Sequence, residues 1–72
     1  MLSSEETKFL DTLKKTHFFI LDLVKIHGIL PSIEQTYKEY EVRFQKDALD
    51  FDIFKECHET IRQCLNMALP SA

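Results

Sequence analysis

Glycine, proline and tryptophan are almost missing from this chain: it has one glycine, two prolines and no tryptophan in 72 residues. One glycine cannot build a glycine-rich phosphate-binding loop, which excludes the nucleotide-binding motifs that depend on one. So little glycine and proline also excludes a linker or low-complexity composition, and the chain is expected to fold along its whole length as one domain, residues 1–72. Long apolar runs are missing too. The longest, Phe18 to Leu21, falls far short of the roughly 18 residues that a membrane span requires. There is no excess of positive charge: nine Lys and Arg stand against twelve Asp and Glu, for a net charge of −3. No global field therefore favours nucleic acid or an anionic membrane, and any such partner would have to be met by a local patch. The beginning, MLSSEETKFL, lacks the basic n-region of a secretory signal and predicts a cytoplasmic protein.

Cysteine is scarce as well. Cys57 and Cys64 are seven residues apart in a predicted helix, about 10 Å along its axis, beyond the roughly 7 Å that a disulfide tolerates between Cα atoms. They are expected to be small core residues. Cys57, His58 and Cys64 do not have the spacing of a structural zinc site, so no metal is expected. The adjacent Cys57 and His58 point about 100° apart on a helix, which argues against a thiol–imidazole pair and predicts a buried cysteine beside an exposed histidine. The carboxylate pairs Glu5/Glu6 and Asp50/Asp52 lie at helix starts, where capping and the helix dipole account for them. No catalytic residue, cofactor or small-molecule substrate is expected, and an enzyme is disfavoured.

What is abundant is apolar surface with helical spacing, 44% of the residues, six of them phenylalanine. Ser3 and Glu6 form a capping-box pattern, and Gly28 is placed to end a helix in the left-handed conformation. Together they predict a first helix over about 3–27, with Phe9, Leu10, Leu13, Ile20, Leu23, Val24 and His27 facing the core. Ser32 with Gln35 repeats the capping pattern after Pro31 and starts a second helix, about 33–46, whose apolar side is Ile33, Tyr37, Tyr40 and Phe44. The two tyrosines are expected in the core with their hydroxyls at its edge. Asp50 or Asp52 caps a third helix, about 51–69, which places Phe54, Cys57, Ile61, Cys64, Leu65 and Ala68 inward and ends at Pro70. No strand pattern appears, so the predicted fold is an all-α, compact three-helix bundle.

The first helix has more apolar residues than one face can use. Phe18, Phe19, Leu21 and Ile26 lie roughly 90° or more from the centre of its core stripe, and two partner helices of modest length are expected to leave them uncovered. They predict an interface, either for self-association or for a protein partner.

The order of a long helix, the turn HGILPSIEQ, a second helix and a third resembles the tri-helical core of helix-turn-helix DNA-binding domains, including those of small phage and bacterial regulators or packaging subunits. The resemblance covers most of the chain and rests on a generic pattern. It implies double-stranded DNA as a partner, with Ser32 and Gln35 facing phosphate and Lys55, His58, Glu59, Arg62 and Gln63 facing the major groove. Two functions follow from the sequence: a small DNA-binding domain acting as a dimer or oligomer, which the helix order favours narrowly, and a helical protein-interaction or homodimerisation module.

Overall fold

The computed structural model describes residues 3–68, and the side chains of residues 3–65. Among the described residues the architecture is three helices without strands: α1, Ser4–His27; α2, Ile33–Phe44, continued by a single 3₁₀ turn at Gln45–Asp47; and α3, Phe51–Ala68. This is the all-α three-helix bundle expected from the sequence. The expected end of α3 at Leu69 and Pro70, and the inward placement of Ala68, lie outside the described residues and side chains.

Local chemistry sets the helix ends. At the start of α1, Ser3 accepts the Glu6 amide at 3.1 Å while Glu6 accepts the Ser3 amide at 3.4 Å, so each side chain satisfies a backbone donor that the helix leaves free. Gly28 ends α1 at φ 78°, its amide donating to the Val24 carbonyl at 2.7 Å. The space around its α-carbon is open, so glycine is required there by the backbone conformation alone. Ser32 caps α2 by accepting the Gln35 amide. At the far end of α2 the chain turns without glycine, and Gln45 holds φ 52°, a region costly for any residue with a β-carbon. That turn ends α2 at Phe44, two residues before the end expected from the sequence. Among the described hydrogen bonds, neither Asp50 nor Asp52 supplies a side-chain cap to α3, whose first turn closes from the Phe54 amide to the Asp50 carbonyl.

The core is aromatic and centres on Tyr40. Its ring lies between Phe44 and Phe54, at centroid distances of 4.5 and 4.6 Å, and Phe19 approaches from α1 at 5.6 Å. Ile20, Cys57 and Ile61 complete the buried set, with Leu13, Leu23, Ile33, Tyr37 and Leu65 packed around it. Tyr40 is fully buried, so its hydroxyl is inside the bundle and not at the edge expected for it. The hydroxyl is satisfied by a directed chain of hydrogen bonds. The Leu49 amide donates to Tyr40 Oη at 2.8 Å, Tyr40 and Thr16 Oγ1 are 2.9 Å apart, and Thr16 donates to the Thr12 carbonyl at 2.7 Å. Because that carbonyl can only accept, the Thr16 proton is committed to it and Tyr40 is the donor to Thr16. This chain ties α1, α2 and the connection before α3 at one point.

Several residues expected in the core are outside it. α1 has 24 residues, α2 has 12 and α3 has 18, about 36, 18 and 27 Å of helix, so α1 is longer than either partner and its inward-facing end residues Phe9 and His27 are exposed. Leu10 is exposed because it lies about 100° around α1 from the inward direction that Thr16 and Ile20 bracket. Cys64 is exposed whereas Cys57 is buried, and both thiols are free. Thr16 and Thr36 are fully buried instead, each returning its hydroxyl to the carbonyl one turn earlier, Thr12 and Ser32 respectively.

Candidate interaction surface

Two surfaces were singled out by the sequence, one on α3 and the α2 start, the other on α1. On the first, Lys55, Glu59, Arg62 and Gln63 are exposed. Arg62 Nε donates to Glu59 at 3.0 Å, a second guanidinium nitrogen reaches the same carboxylate, and Gln63 adds a longer contact at 3.5 Å. Hydrogen bonding from Arg62 holds the Glu59 carboxyl below its ordinary pKa range, and the same pairing raises that of Arg62. The Arg62 cation is thus already matched by an anion on its own helix. His58 faces inward: its Nε2 lies 3.0 Å from the Pro31 carbonyl, which makes this nitrogen the donor. This corrects two expectations, the exposed histidine beside a buried cysteine and the groove-facing His58. The physical reason is that the Pro31 carbonyl, in the connection between α1 and α2, obtains its donor from α3. Ser32 is engaged in capping through its side chain, and Gln35 is exposed one turn on.

On the second surface, Phe19 separates from its neighbours. It is 8% exposed, with Tyr40 and Phe44 on one side and the Arg43 guanidinium over its ring at 5.7 Å. Phe19 therefore belongs to the core and not to the expected interface. The separation follows from helix geometry: Phe19 lies about 100° around α1 from Phe18, enough for the aromatics of α2 to reach one and not the other. Phe18 remains 58% exposed, Leu21 43% and Ile26 67%. At 100° per residue, Thr16 and Ile20 fall about 160° to either side of Phe18, so Phe18 marks the side of α1 opposite the core.

Between this outer face and α2 runs an open groove of about 810 Å³, floored by Phe19 and Phe44 and edged by Lys15, Asp22, Lys25 and Arg43. A second hollow, lined by Ile26 and Val42, continues it along the two helices and shares Phe19, Asp22 and Arg43 with the first. Sequence reasoning missed Val42, which is 76% exposed; the positions three and four residues from it, Lys38, Glu39, Gln45 and Lys46, are all polar, so it belongs to no apolar stripe. The surface is thus apolar and edged by charges of both signs.

Burial, reinforced by Glu56, raises the pKa of the Cys57 thiol and keeps it protonated, the opposite of what a nucleophile requires. Among the described residues, no cluster of three or more His, Cys, Asp or Glu side chains is placed to hold a metal ion, and no helix is long and apolar enough to cross a membrane. No protein family, curated protein or solved structure matches this chain.

Proposed function

We propose that this chain is a non-catalytic protein-interaction module whose binding face is the outer side of α1. The observation that carries this reading is Phe18, a large aromatic side chain on the face opposite the core, with Leu21 and Ile26 exposed beside it while the bundle closes without them. Large exposed apolar side chains set among charges of both signs are the usual form of a protein–protein contact.

DNA recognition by α3 has less support. Of the groove candidates, His58 is occupied inside the fold and Arg62 is paired with Glu59, which leaves Lys55 as the cation on that strip without such a partner among the described residues. Strong duplex binding draws on several unmatched cations, since each neutralised phosphate contributes through counterion release.

The test is capture by the immobilised chain, wild type against Phe18→Glu, with circular dichroism to establish that the variant is folded and with random-sequence duplex DNA titrated in parallel at two salt concentrations. The expected result is a bound protein, either another copy of the chain or a different one, that Phe18→Glu releases. Duplex binding that weakens steeply with salt and is reduced by Lys55→Ala or Arg62→Ala would overturn this reading and support the helix-turn-helix one. Identical capture by wild type and Phe18→Glu would also contradict it.

A further inference from the structure

We infer that the partner on the outer face of α1 is a second copy of this chain, with the two α1 helices antiparallel about a two-fold axis that passes beside Phe18. This inference rests on the interaction reading above and specifies the occupant of the same face.

The charges on that face carry it. In a closed two-fold pair of antiparallel helices, a residue a given distance before the axis meets the residue an equal distance after it on the other copy. With the axis at Phe18, the two Phe18 rings meet at the centre. Asp11, seven residues before Phe18, then faces Lys25, seven residues after it, and both lie within about 20° of the Phe18 direction. Lys15 and Asp22, three residues before and four after, lie on the same flank, about 60° and 40° around, and come within one residue of level, an offset of about 1.5 Å. Each contact occurs twice by symmetry, so four opposite-charge pairs surround an apolar centre. Leu21 falls against the aliphatic stem of Lys14 on the other flank.

The neighbouring register loses this match. Moving the axis by about half a turn, so that Phe18 faces Leu21 of the other copy, sets Lys14 against Lys25 and Asp11 against Gly28. Within the single chain, Lys15 and Asp11 already pair at 3.1 Å, an exposed contact that the rotated copy exchanges for Asp22 and Lys25, which are themselves in no ion pair among the described residues. The face therefore has both signs available and arranged to complement a rotated copy of itself. Its apolar part is opposite the core, so a second α1 can approach without displacing α2 or α3.

The experiment uses the unmodified protein. Light-scattering mass is measured over a concentration series. An equimolar mixture of ¹⁴N and ¹⁵N chains is then treated with a zero-length carbodiimide, and peptides joining a light to a heavy chain are identified. The expected result is a mass rising to twice that of one chain, with light–heavy links between Asp11 and Lys25 and between Asp22 and Lys15. Phe18→Glu is expected to have the mass of one chain with unchanged helicity. Lys25→Asp should weaken association at least tenfold, and Asp11→Lys together with Lys25→Asp should restore it. A dimer without these links overturns the register. A single-chain mass up to millimolar concentration overturns the inference, and then the capture experiment separates the two readings: a different protein released by Phe18→Glu preserves the interaction module with another partner, while no capture removes both.

Discussion

The two sides of α1 differ in the opposite sense from simple hydropathy. Toward the core, the fully buried positions include Thr16, a polar residue, whereas the outer side leaves Phe18 and Ile26 largely in water. The inner side tolerates the hydroxyl because every partner is supplied: Thr16 donates to its own helix and accepts from Tyr40, which accepts from the Leu49 amide. The outer side keeps its apolar groups uncovered because α2 and α3 pack on the other half of the helix. Burial in this small bundle is thus decided by which half of α1 the other helices reach, and a hydroxyl is admitted there when its hydrogen bonds close.

Breaking the inner side should have the largest effect. Tyr40→Ala removes the ring packed by Phe19, Phe44 and Phe54 and should cost about 3–5 kcal/mol, enough to unfold much of the population in urea titrations. Tyr40→Phe keeps the ring but leaves the Leu49 amide without its acceptor and should cost about 1–3 kcal/mol. Thr16→Val in the same background should then be less damaging than alone, because the Tyr40 hydroxyl that it strands is already gone; equal costs in both backgrounds would show that the hydrogen bond does not form.

The backbone supplies a smaller and two-signed contrast. Gly28→Ala should lower stability by about 1 kcal/mol, since the position holds φ 78°. Gln45→Gly, at φ 52°, should raise it by a similar or smaller amount, about 0.5–1 kcal/mol, because the residue there is not the one the conformation favours. Both are read from thermal or urea midpoints. On the outer side, Phe18→Glu should change the stability of the single chain by no more than about 0.5 kcal/mol. The two cysteines give the same inside-against-outside contrast without a substitution of the core. Cys64 should react with an alkylating reagent in the folded protein, and Cys57, buried with its pKa raised, only on unfolding; equal rates would contradict the packing of α3.

Much of the architecture was legible in residues with a single local role. Ser3, Glu6, Gly28 and Ser32 fix helix ends through their own side chains or backbone preference, so three boundaries could be read without tertiary information. Phe19, Thr16 and His58 could not be read this way. Whether Phe19 is covered depends on Tyr40 and Phe44 reaching across from α2, whether Thr16 is buried depends on Tyr40 supplying a donor, and whether His58 faces inward depends on an unpaired carbonyl at Pro31. Each is settled by a partner more than 20 residues away in sequence. Periodicity places Phe9 in the core because it marks a face and carries no information on how far the neighbouring helices extend. The outer surface was half legible: the excess of apolar residues on α1 pointed to Phe18, Leu21 and Ile26, but it did not separate Phe18 from Phe19 or find Val42.

Carbene footprinting of the protein in solution, resolved to single residues, tests the division of α1 most directly. In dilute protein, Phe18 and Ile26 should label heavily while Phe19 and Ile20 stay dark, and at high concentration or with a bound partner the label on Phe18 should fall while Phe19 and Ile20 remain unchanged. Labelling of Phe19 as strong as that of Phe18, or a Phe18 signal that stays high under every condition, would contradict the account.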